Sequence, residues 1–139
     1  MYISALVKNA RGSHDVTLAT GDSRNSLTVP CREIGFGSGI NGGELLMLAL
    51  ATCYCNDLYR EAARLGIGIE SVEVSASADF EGIGVAASNI RYRARIASTS
   101  SDADVARLLR ETDAVAEIHN TVRAGVRVTL EPWGAGGTV

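Results

Sequence analysis

The chain has 139 residues, 46% of them hydrophobic, and a formal net charge of -3 at neutral pH. That length suits one domain with a genuine core, and neither the acidic balance nor the scattered aromatics offers the basic surface that a nucleic-acid partner needs. Three cysteines without a CxxC spacing disfavour both a secreted disulfide framework and a structural zinc site, and fit a reducing cytoplasm.

Residues 1–8 lack a basic segment followed by a long apolar stretch, and the apolar run 45–55 is too short to span a bilayer, so neither export nor membrane anchoring is expected. The first thirty residues read as a small meander of short strands at 2–7, 15–20 and 26–29, with turn chemistry at 9–13 and 21–25. Five glycines follow within Gly35-Phe36-Gly37-Ser38-Gly39-Ile40-Asn41-Gly42-Gly43. Such a loop serves as a hinge, an active-site edge or a connector.

Asn41 and Glu44 have the spacing of a capping box, which starts a long helix that Gly66 stops. Its first half is apolar almost all round, whereas Asn56, Asp57, Arg60, Glu61 and Arg64 recur at helical spacing in the second. The expectation is a buried beginning and an amphipathic end. Period-two alternation at 71–80 and 90–96, joined through 82–88, predicts a hairpin. Ser101 and the acidic residues after it open a second helix reaching residue 118, and residues 126–130 read as a last strand. Strands, helix, two strands, helix, strand is an α+β order with helices against an antiparallel sheet.

Cys53 is the candidate for chemistry. A thiol becomes nucleophilic as its thiolate, which an apolar setting opposes unless a cation stands close. About twelve residues into its helix, it gains nothing from that helix's own N-terminus. The bland alternative is an inert buried thiol. Cys55 points about 200° away around the helix and reads as core. Cys31 is a candidate resolving thiol or simply a packed one. Arg11 and Arg32 are candidate activating cations, or surface charges. Glu44 can orient an arginine, although capping already explains it. His119 is a candidate base or a structural histidine at a helix end, and His14 has no obvious partner. Arg91, Arg93 and Arg95 form either an anion-binding stripe or an exposed face paired with Glu73.

The segment from Gly39-Ile40-Asn41-Gly42-Gly43-Glu44-Leu45-Leu46 to Ala51-Thr52-Cys53, ending in Arg64-Leu65-Gly66-Ile67, resembles the OsmC/Ohr family of osmotically induced and organic hydroperoxide resistance proteins. Ile118-His119-Asn120-Thr121-Val122, followed by Gly125-Val126-Arg127-Val128, is similar to that family's second-cysteine motif, Cys-Pro-Val-His-Asn-Thr-Leu. The resemblance covers nearly the whole chain. It implies a single OsmC-like domain over residues 1–139, an antiparallel sheet packed on a long central helix and a second helix, and an intertwined homodimer with sites at the subunit interface. It also implies reduction of organic hydroperoxides by two cysteines, an arginine and a glutamate, with no cofactor or metal assigned. Cys53 falls on the peroxide-attacking position, Arg11-Gly12 on the arginine-bearing turn, and Glu44 one residue after the glutamate position, which Gly43 occupies. Ala116 stands at the second cysteine and Glu117 at the following proline, so the usual intrasubunit disulfide has no second thiol. Two activities are therefore compatible with the resemblance: a thiol peroxidase with another reductant, or a noncatalytic dimer binding a small apolar ligand.

Overall fold

The structure, a computed structural model, describes residues 1–134. Its contacts separate into two compact units, residues 1–42 with the C-terminal segment from 129, and residues 43–128.

In the first unit, β1 (Ile3–Ala10), β2 (Ser13–Thr20) and β3 (Ser23–Ser26) form an antiparallel meander in the order β1-β2-β3. Gly12 and Gly21 make its tight turns at φ +76 and +54, a region closed to most side chains. The third strand therefore lies earlier than residues 26–29. The glycine-rich loop folds back on itself: Cys31 bridges Ser38, and Arg32 N–H donates to Gly37 O at 3.1 Å. Gly35 and Gly37 take φ +90 and +96 at its tip. Gly37 N–H also donates to Asn9 Oδ1 at 3.0 Å, which ties the tip to the β1–β2 turn.

The second unit holds the main core. Helix α1 (Gly42–Leu65) is followed by the antiparallel pair β4 (Ser71–Asp79) and β5 (Ser88–Ala97), and by helices α2 (Asp102–Val115) and α3 (Glu117–Ala124). Gly66, at φ +68, ends α1. Tyr54, Leu58 and Ala62, one α1 stripe at i, i+4 and i+8, pack with Ile67, Leu108 and Ala116, and Val72, Val74, Tyr92, Ala94 and Ile96 of the strands cover them. Ser101 caps α2 by accepting from Asp104 N–H at 3.1 Å.

Two further expectations are corrected. The second helix does not run unbroken to residue 118: Ala116 takes φ -75, ψ 100 and divides it into α2 and α3. The side chains of α3 satisfy carbonyls freed at that break, Asn120 Nδ2 donating to Ala114 O at 3.1 Å and Arg123 to Asp113 O at 3.3 Å. Residues 126–130 form no strand, and Val128 and Leu130 are fully exposed. The second half of α1 is amphipathic as expected, with Leu58 and Ala62 buried and Asn56, Arg60 and Arg64 exposed, but Asp57 and Glu61 are buried as well, and Leu48 in the apolar half is 50% exposed. The cause is that strands and helices cover one stripe only, and arginines on the same helix make the two carboxylates tolerable there.

Leu58 and Leu108 are fully buried in this core. Leu58→Ala and Leu108→Ala are each expected to lower unfolding free energy in urea by about 2–5 kcal/mol. Ile83→Ala, at a fully exposed loop position, is expected to change it by less than about 0.5 kcal/mol.

Candidate functional site

Helical spacing sets Cys53, Asp57 and Arg60 on one face of α1, at i, i+4 and i+7. The Cys53 thiol, partly exposed, donates to Asp57 Oδ2 at 3.3 Å. Asp57 is 4% exposed. Its other oxygen, Oδ1, receives Arg60 at 2.7 Å, and the same guanidinium nitrogen lies 3.6 Å from Glu117 Oε1 at the start of α3. A second chain of charges continues outward, from Arg60 to Glu61, Arg64, Glu111 and Arg107. These arrangements hold the carboxylates by fixed donors, which is what makes their burial affordable beside hydrocarbon.

The break at Ala116 begins α3 beside the sulfur, with the Ile118 backbone facing it. Burial pushes the Cys53 thiol above its ordinary value; the Ile118 bond pulls the other way, but the Asp57 bond and the charges of Asp57 and Glu117 add to the rise. Cys53 is accordingly a thiol at neutral pH. Helix α1 offers no N-terminal help at that depth, as its sequence requires, yet α3 supplies such an end from outside α1. Cys53, Asp57 and Glu117 bring possible ligand atoms within 4.8 Å of one another. Arg60 already provides the positive charge between the two carboxylates, so the group is an ion-paired cluster in its own right.

The other candidates from the sequence lie elsewhere. Arg11, in the first unit, sets its guanidinium over the Phe36 ring at 5.3 Å. Arg32 Nε donates to Ser38 O at 3.3 Å, and Cys31 is a free thiol at the base of the same loop. Glu44 occupies the first turn of α1, about 13 Å along the axis from Cys53. Cys55 is half-buried rather than part of the core. Asn9 Nδ2 lies 3.2 Å from His14 Nδ1. Arg95 pairs with Glu73, while Arg91 and Arg93 stand opposite Ser77 and Ser75 on the exposed face of the hairpin. Sequence reading missed Asp57 as a site residue. Its signal was the i, i+4 relation to Cys53, obscured because Asp57 fitted equally well in a solvated polar face.

His119 is 3% exposed and packs against Tyr92 and Tyr54, with ring centroids 4.3 and 5.6 Å away. Among the described residues neither ring nitrogen has a hydrogen-bond partner. Burial, aided by Arg123, lowers its pKa from 6.5, against the opposing pull of Asp113 and Asp57. The imidazole is thus neutral at pH 7. Between its lowered folded pKa and 6.5 the unfolded chain binds more protons, so this contribution to stability is complete above pH 6.5 and is lost as pH falls through the folded pKa. Denaturant midpoints measured from pH 7.5 to 4.5 are expected to fall on acidification, and to fall less in His119→Phe.

No curated protein matches the chain by sequence. Among solved structures, it is similar to an organic hydroperoxide resistance protein OsmC from Legionella pneumophila, at TM-score 0.59 and 19% identity over 88% of this chain and 90% of that one. An organic hydroperoxide resistance protein from Elizabethkingia anophelis, with thiocyanate bound, gives TM-score 0.62 and 16% identity over 88% and 89%. An OsmC-like protein from Mycoplasma pneumoniae gives 0.60 and 16% over 88% and 86%. These likenesses establish a shared fold. The family model for OsmC-like proteins matches residues 35–131, and the chain belongs to that family.

Proposed function

We propose that this OsmC-like protein reduces organic hydroperoxides through Cys53 in oxidative-stress defence, working in the cytoplasm as a homodimer. The observation that carries this reading is a partly exposed free thiol held between a buried carboxylate and the N-terminus of a second helix. The sulfur attacks the distal peroxide oxygen, the O–O bond breaks, and Cys53 becomes a sulfenic acid while the alcohol leaves. Two external thiols then return it to the thiol, forming their own disulfide and water, with no bound cofactor or metal. Negative charge develops on the departing oxygen as the O–O bond breaks, and it calls for a cation. Arg11, oriented by Glu44 and delivered by the partner protomer, is the proposed source. The apolar residues that α1 leaves uncovered, Leu48 and Tyr59 among them, support an interface along that helix.

A specific observation favours a second reading, in which the dimer binds a small apolar molecule without catalysis. Ala116, at the position the resemblance assigns to the second cysteine, carries no thiol and is fully buried in the core. Leu50, Ile90, Tyr92, His119, Val122 and Arg123 also line a largely apolar pocket of ≈ 130 Å³. That volume is below the usual range for drug-sized ligands, about 300–1,000 Å³, and would take only a small molecule.

Loss of cumene hydroperoxide in the presence of dithiothreitol distinguishes the two. The wild type is expected to consume peroxide at least tenfold faster than Cys53→Ser, and to form a dimedone adduct at Cys53 by mass spectrometry. Equal rates with no adduct would leave the binding reading.

A further inference from the structure

We propose that Asp57 is a catalytic base that takes the Cys53 proton during the attack, and that Arg60 is the positioning residue that holds Asp57 to the task. This rests on the hydroperoxide-reductase reading. Asp57 is none of the residues that the resemblance to the family carries onto this chain, and the geometry alone singles it out.

A carboxylate against a thiol on a core-facing helix needs an explanation. Pairing with Arg60 uses only Oδ1, at 2.7 Å, and that pairing could be made in solvent. Instead the carboxyl group is 4% exposed and gives its second oxygen to the sulfur at 3.3 Å. A site that relied on a thiolate formed in advance would keep a fixed negative charge away from the sulfur. A site that removes the proton only as the S–O bond forms would place an acceptor within hydrogen-bond reach, as found here. Arg60 in turn pairs with Glu61 at 3.2 Å and Glu117 at 3.6 Å, which favours the position in which it holds the acceptor.

The step balances. A sulfur lone pair bonds to the distal oxygen of the hydroperoxide, and the electron pair of the O–O bond departs on the proximal oxygen as alkoxide. The thiol proton passes to Asp57 and then to the alkoxide, giving Cys53 sulfenic acid, one alcohol and an ionised Asp57 ready to repeat. Sulfur is oxidised by two electrons and the peroxide is reduced by two. The Ile118 backbone faces the same sulfur.

The test compares two reactions of Cys53 in the full-length protein at pH 7.5: cumene hydroperoxide reduction with dithiothreitol, and alkylation by iodoacetamide followed at the Cys53 peptide. Alkylation reads thiolate alone and needs no base in the step. Asp57→Asn is expected to lower kcat/KM for the hydroperoxide by about 10²–10⁴, while alkylation stays equal or becomes faster because a negative charge has left the sulfur. Arg60→Gln is expected to lower kcat/KM less than Asp57→Asn does. In the wild type, kcat/KM is expected to fall at least about twofold in deuterated solvent, a readout that depends on no variant folding. An Asp57→Asn rate within threefold of wild type, parallel loss of both reactions in a folded variant, or a solvent isotope effect near unity would overturn the proposal while the enzyme reading stands. A wild type no faster than Cys53→Ser would overturn both.

Discussion

The second unit is organised around one difficult requirement, that a carboxylate be buried on the same helix face as a thiol. Asp57 lies one turn from Cys53, and without compensation its charge would be costly in a core built from Tyr54, Leu58 and Ala62. Arg60 supplies the compensation from the next turn, reaching one oxygen while the thiol occupies the other. Glu61 repeats the device with Arg64, so α1 carries two buried acids each clasped by a basic residue three positions later. The helix thereby buries two acids of its amphipathic half while their arginines stay about half exposed, and Leu48 in the apolar half is left uncovered.

The division of the C-terminal helix serves the same place. Had residues 102–118 formed one uninterrupted helix, the backbone around Ile118 would have bonded only to its own preceding turn. The extended Ala116 ends α2 and begins α3, so that the first N–H groups of α3 lack partners within the helix. Asn120 N–H returns to Ala116 O at 2.9 Å, fixing the corner, and Ile118 is free to meet the sulfur. Ala116 is small enough to be fully enclosed at this corner, where it serves as a packing element.

Much of this was legible in the residues. The period-two runs of β4 and β5, the apolar stripe of α1, its end at Gly66 and the Ser101 cap all follow local rules that hold whatever the tertiary setting. Cys53 stood out because a thiol interrupting hydrocarbon is chemically conspicuous. The Ala116 break was hidden, because alanine is the best helix former and only the carbonyl bonds from Asn120 and Arg123 compensate for the interruption. Residues 126–130 carry the alternation of a strand, yet a strand needs a neighbour to accept its hydrogen bonds, and alternation alone does not say which chain provides it. The role of Asp57 was hidden for a related reason: a polar residue in an amphipathic pattern is assigned to solvent until the partner that permits its burial is located.

Electrostatics decide how such a thiol can react. Desolvation and two nearby carboxylates all favour the neutral S–H, and a single backbone hydrogen bond opposes them. A site of this kind is quiet toward reagents that require a standing thiolate, and its reactivity depends on what arrives with the substrate. On the proposed reading, a hydroperoxide would bring a weak O–O bond and a leaving oxygen that needs a proton, and the S–H that suppresses one kind of chemistry would become the proton source for another. The Asp57 carboxylate favours the neutral resting sulfur, and in the mechanism proposed above the same group, already accepting from the thiol at 3.3 Å, would receive its proton as a bond to sulfur forms.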